Sequence, residues 1–174
     1  DQSAFVIYLT LDKRYHFLEH YQFIFKKRLP NSISNSFFVS FSRSDDHILS
    51  KNGTSVTIST HTKASFWKHL TKYDQTKEEM MEYILGQFLE YFTSLERKNI
   101  TKKYCATSFT FNRYINRYNC GGKAIGFHNI TQLPSCNTPF EGLYNVGDTV
   151  FAGQGWPGVA LGVDVLHKEL HGNS

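Results

Sequence analysis

In Thr54-Ser55-Val56-Thr57-Ile58-Ser59-Thr60, two apolar side chains alternate with hydroxyl residues. That period of two is the mark of a β-strand buried on one face. A slip of one residue would turn both apolar groups to water, so the register of this strand is strongly constrained. A second β-like run, Asn35-Ser36-Phe37-Phe38-Val39-Ser40-Phe41-Ser42, precedes it. The polar residues 43–53 between them end in Asn52-Gly53, a natural place for the chain to reverse. Two strands joined by a reversal predict antiparallel pairing. Residues 4–11, rich in β-formers, are a third strand candidate.

A helix is predicted next. Met81, Ile84, Leu85, Phe88, Tyr91, Phe92 and Leu95 recur at steps of three and four and give one apolar stripe. Thr76-Lys77-Glu78-Glu79 places acids near the expected helix start and Arg97-Lys98 near its end, as the macrodipole favours. Residues 109–115 form a short second helix candidate, Gly121-Gly122 breaks the chain, and residues 133–139 read as a loop. The fold class expected is therefore α+β.

At 174 residues the chain is long enough for a substantial core. Aromatic residues are abundant at 16%, which fits either a ring-rich core or a pocket for a large apolar ligand. A net charge of +4 is modest, and the Lys26-Lys27-Arg28 run stands alone, so a nucleic-acid partner is not expected. No apolar run reaches the roughly 18–20 residues that span a bilayer. Cys105, Cys120 and Cys136 form no CxxC pair, which argues against a zinc ribbon or a disulfide framework and suits a reducing compartment. His16 and His20 stand four apart, the spacing of one helix face, but no third ligand accompanies them, and no metal site is expected. Asn52, Asn99 and Asn129 open glycosylation sequons, read as chance. The chain opens at Asp1 without Met and enters a β-like run almost at once, so its amino terminus is expected to be a cut edge.

The chemistry concentrates in the last forty or so residues. Gly142-Leu143-Tyr144-Asn145-Val146-Gly147-Asp148 reads as a short buried strand ending in an acid. Thr149-Val150-Phe151-Ala152-Gly153-Gln154-Gly155-Trp156-Pro157-Gly158 follows as a glycine-rich loop, and residues 159–169 are helix-like. Glycines let a backbone approach a ligand closely, and Pro157 is tolerated in a first helical turn. Free N–H groups at a helix start face an electron-rich group favourably. Asp148 is placed to accept hydrogen bonds from sugar-like hydroxyls. On pattern alone, an ordinary strand–loop–helix connection explains the segment as well.

Residues 142–161 resemble the terminal flavin-binding signature of the phytoene desaturase and carotenoid isomerase family. Residues 36–42, residues 57–62 followed by Trp67, and the opening residues 3–9 are similar to substrate-domain strands of its carotenoid isomerase branch. The resemblance implies a substrate-binding part over residues 1–140 and, over 141–174, the last strand, loop and helix of a Rossmann-type FAD domain. It implies FAD as cofactor, with Gly147, Asp148, Gly155, Trp156, Pro157, Gly158 and Val159 in its site. Asp148 would bind the ribityl chain, and the backbone of residues 155–159 would approach the pyrimidine side of the ring. There the positive helix end would stabilise negative charge on the reduced flavin. The family's GxGxxG fingerprint belongs to an amino-terminal FAD domain and has no counterpart in these residues. Ala152 replaces a frequent proline, and Gly162-Val163 a common Ser-Gly, which puts close packing of the last helix in question.

The activity implied is desaturation or cis-trans isomerisation of an apolar, carotenoid-like polyene, in the cytoplasm or a plastid-like interior, peripheral to a membrane. No catalytic side chain is identified; His61 is the nearest candidate, and a structural histidine explains it as well. Alternatives are a retinol saturase-like reductase, a non-catalytic partial chain that binds no flavin alone, and a carrier of small apolar ligands.

Overall fold

The computed structural model describes residues 1–46, 48, 51, 53–118, 134–148, 150–151 and 155–172. They fall into two compact units, which divide after Tyr118. Each is described by itself.

The first unit is an antiparallel five-stranded sheet with helices, an α+β fold. Its strands are β1 (Gln2–Leu11), β2 (His20–Ile24), β3 (Ser36–Phe41), β4 (Thr54–Lys63) and β5 (Ile100–Ala106), in the order β2-β3-β4-β1-β5. The expected pairing of β3 with β4 is present, with Val39 opposite Ile58 and Phe41 opposite Val56. β1 pairs along its whole length with β4, from Gln2 opposite Lys63 to Leu11 opposite Thr54. β2 and β5 escape the sequence reading. Tyr21 and Phe23 of β2 do alternate with polar residues, but over five positions. β5 reads Ile-Thr-Lys-Lys-Tyr-Cys-Ala, is exposed along most of its length, and lacks a clean period.

Alternation decides which face is buried. Phe5, Ile7, Leu9 and Leu11 of β1 enter the core with Phe37, Val39 and Phe41 of β3 and with Val56 and Ile58 of β4. On the opposite face stand Ser55, Thr57 and Ser59, half-buried, beside the exposed Tyr8 and its cross-strand partner Tyr104.

The core face is covered by α2 (Tyr73–Tyr91), which buries Met80, Met81, Ile84, Leu85 and Phe88. Two details of the expected stripe change. Met80 joins it, and Tyr91 stands 55% exposed at the helix's last position. Phe92 and Leu95 remain buried although they lie past the helix end. The helix also starts one turn earlier than the acids suggest. Glu78 and Glu82 lie within it and take Lys103 of β5 as an ion partner, with Arg97 also on Glu82. Lys103 thereby holds the Glu82 carboxyl below its ordinary range. Arg97 and Lys98 belong to a separate 3-10 turn (Arg97–Asn99), not to the end of α2.

Short helices close the end of the sheet. α1 (Ala64–Lys68) buries Trp67, whose ring stacks on Phe5 at 5.5 Å and whose Nε1–H donates to Thr62 Oγ1 at 3.0 Å. α3 (Ser108–Ile115) begins at Thr107, whose hydroxyl accepts from the Phe109 N–H. Residues 108–115 thus match the second helix candidate closely.

At the head of β4 the chain passes so near β1 that a Cβ on Gly53 would lie 2.1 Å from the Leu11 carbonyl oxygen. Gly53→Ala is therefore expected to destabilise the first unit by about 1–3 kcal/mol, the usual cost of overpacking, as read by urea unfolding. Phe88, fully buried on α2, is expected to cost about 3–5 kcal/mol when cut to Ala. Tyr83→Ala on the exposed side of the same helix should stay within about 0.5 kcal/mol of the parent.

Candidate functional site

The glycine-rich tail falls in the second unit, together with the segment before it. Residues 134–138 run beside residues 143–145 and Phe151. Asn137 forms an antiparallel bridge with Tyr144, the Asn145 N–H donates to the Cys136 carbonyl at 2.8 Å, and the Phe151 N–H donates to the Pro134 carbonyl at 2.8 Å. The reversal between them is closed by Thr138, whose hydroxyl donates to the Leu143 carbonyl at 2.8 Å and accepts from the Phe140 N–H.

Cys136 is buried at the centre of this unit. Its Sγ lies 3.8 Å from the Phe151 carbonyl oxygen and 3.7 Å from that of Gly162. Gly162 is itself buried, on α4 (Gly155–His171), and its carbonyl meets the Cys136 side chain. The Gly162-Val163 pair is thus compatible with close packing of this helix, here against the chain's own loop. Cys105 and Cys136 are both free thiols; burial raises the Cys105 pKa. Cys120 lies outside the described residues.

The expected buried strand at 142–148 is not present. Residues 141–146 are exposed, and Tyr144 makes an isolated bridge instead of a ladder. The physical reason is a shortage of neighbours. A buried strand of a parallel sheet needs partners on its edges and cover on both faces, and among the described residues the segment meets only the short run 136–138 along one side. The helix, by contrast, comes as expected in kind, and it takes in Gly155 to Gly158, which the sequence reading placed in the loop. Gly147 and Asp148 are half-buried in a turn, and α4 starts at Gly155, earlier than the apolar run from Val159 suggests. Thr149 and residues 152–154, the middle of the glycine-rich loop, lie outside the described residues.

At the head of α4 the backbone N–H groups of Gly155 and Trp156 lie in the first helical turn and have no intrahelical acceptor. Pro157 carries no N–H, so it wastes no donor there. Gly155 enters the helix with φ +82°, in the left-handed region. Trp156 is 80% exposed beside it, and Gly158 and Val159 are half-buried. This is a positive helix end preceded by an acid, a donor and acceptor set suited to an electron-rich ring edge and to hydroxyl groups.

The remaining candidates belong to the first unit. His61 is exposed on β4, with Nδ1 3.0 Å from Gln2 Nε2. His16 and His20 do not share a helix face. His16 is in irregular chain, and His20 lies on β2 with its ring stacked over Phe38 at 5.6 Å. The Lys26 to Arg28 run is exposed loop. Among the described residues no group of three or more His, Cys, Asp or Glu side chains is arranged to hold a metal. The abundant rings go largely into the core: Phe17, Tyr21, Phe23, Phe37, Phe41, Phe88 and Phe92 form one connected set of ring contacts.

No protein-family model, curated protein or solved structure matches the chain. Among the described residues no helix is long and apolar enough to cross a membrane.

Because a left-handed residue other than glycine costs about 1–2 kcal/mol, Gly155→Ala is expected to loosen the first turn of α4. Amide hydrogen exchange should show faster exchange there and unchanged protection in α2. Equal protection in both proteins would mean that the turn accepts a side chain.

Proposed function

We propose that the chain carries the carboxy-terminal part of an FAD-dependent oxidoreductase that acts on carotenoid-like polyenes by desaturation or cis-trans isomerisation. The observation that carries this reading is the incompleteness of the second unit. Phe140, Leu143, Val146, Trp156, Leu161, Val163 and Leu170 are all 48% exposed or more. Leu161 and Val163 flank the buried Gly162, so α4 is apolar on nearly all sides over that stretch. A helix of that kind belongs inside a larger body, because burying such surface contributes roughly 25 cal/mol per Å². A flavin domain supplied by other residues of the protein is the cover this reading calls for.

The residue types at the head of α4 fit the pyrimidine edge and ribityl chain of FAD. Asp148 would accept hydrogen bonds from the ribityl hydroxyls. The N–H groups of Gly155 and Trp156, with the helix dipole behind them, would hold negative charge at the N1 and O2 edge. When bound, FAD supplies the hydride or electron chemistry, and the protein positions and polarises it. An apolar polyene would be bound beside the flavin, and the first unit would contribute the substrate-binding sheet. The cellular setting proposed is the cytoplasm or a plastid-like interior, with peripheral membrane contact suited to a lipid-soluble substrate.

The test is an FAD titration of the full-length protein, parent against Asp148→Ala. Loss of a hydrogen-bonded charged group costs about 1.5–3 kcal/mol, or about 10- to 100-fold in Kd. Residues 1–174 alone should bind no FAD. Equal affinity in parent and variant would remove Asp148 from the site, and absence of flavin binding by the full-length protein would end the enzyme reading.

A further inference from the structure

We infer that His167 and His171 form a two-imidazole site for a divalent transition-metal ion at the exposed end of α4. The rings stand on successive turns of one helix, with centroids 4.7 Å apart and planes inclined by 47°. Residues four apart share a helix face, so the backbone already brings both ligands together. Around a tetrahedral ion, two bonds of about 2.0–2.1 Å place their nitrogens roughly 3.4 Å apart. Rings at the observed separation reach that spacing when one nitrogen of each turns inward, with no movement of the main chain.

Three further features favour a cation here. Both side chains are exposed, so neither is held by packing and both are open to an incoming ion. His171 is the last residue of α4, and Gly172 ends the helix with φ +74°. The site therefore sits where unpaired carbonyls give the helix its negative end. The neighbouring Lys168 is drawn off by Asp164, at 2.8 Å, which lessens its repulsion of an ion. With two protein ligands, the other coordination positions stay open to water or to a small ligand. Imidazole nitrogens select Zn²⁺, Cu²⁺ and Ni²⁺ over Mg²⁺ and Ca²⁺, which prefer oxygen. The His16 and His20 pair has the same spacing in sequence but lacks the helix that makes the spacing useful. The inference is independent of the flavin reading.

The experiment is calorimetric titration of the full chain with Zn²⁺ in excess Mg²⁺, for the parent, His167→Ala, His171→Ala and the double variant. Even a lost second-shell partner weakens a metal site by about 10- to 100-fold, so each single variant should lose at least roughly tenfold in affinity. The double variant should lose no more than either single one, because a chelate fails when either ligand is removed. Under Ni²⁺, the NMR signals of His167 and His171 should broaden before those of His16, His20, His61 and His69. An unchanged isotherm in His171→Ala, additive losses in the double variant, or broadening spread evenly over the histidines would each overturn the proposal.

Discussion

Everything in the first unit depends on the layer of rings and aliphatic side chains between the sheet and α2. Phe41 touches both Phe88, at 6.2 Å between centroids, and Phe92, at 5.1 Å, and Phe92 meets Tyr21 and Phe23 on the edge strand. Each such pair contributes about 0.5–1.5 kcal/mol beyond its buried area. The same contacts set the direction of the chain after α2. The helix stops at Tyr91, yet Phe92 and Leu95 stay anchored in the layer and lead the chain back to β5. A second anchor, Trp67 on Phe5, ties α1 to the first half of β1.

Charge finishes what burial begins. Lys103 on β5 reaches Glu78 and Glu82 on α2, and Arg97 reaches Glu82 from the intervening turn. These pairs are well exposed and individually contribute little. Their effect is positional, since they hold the edge strand in register beneath a helix that its own polar sequence would not attract.

The second unit is built on a different principle. Its described residues are held by one buried thiol, a few main-chain hydrogen bonds and the helix α4, while much of its apolar surface faces outward. The first unit satisfies its hydrophobic pattern internally, and the second does not. That difference leaves the head of α4, a helix start next to Asp148, on a body with much apolar surface facing outward.

Much of the fold was legible in the residues themselves. Strands at 4–11, 35–42 and 54–60 and helices at 81–95 and 109–115 follow from period and turn chemistry, which are local properties. The tail's helix is legible for the same reason, but residues 142–148 form no strand and Gly155 to Gly158 belong to α4 rather than to a loop. Whether an extended segment becomes a strand depends on the neighbours it finds, and only the tertiary structure shows that this one makes an isolated bridge to Asn137 and no ladder. The same holds for β5, whose lysines look like solvent until Glu78 and Glu82 come opposite. It holds also for the histidines, where spacing four in sequence means a shared face at His167 and His171 and nothing at His16 and His20. Sequence by itself determined the local elements, because propensity and periodicity act over a few residues. Tertiary structure decided pairing, burial and juxtaposition, because those depend on residues far apart in the chain.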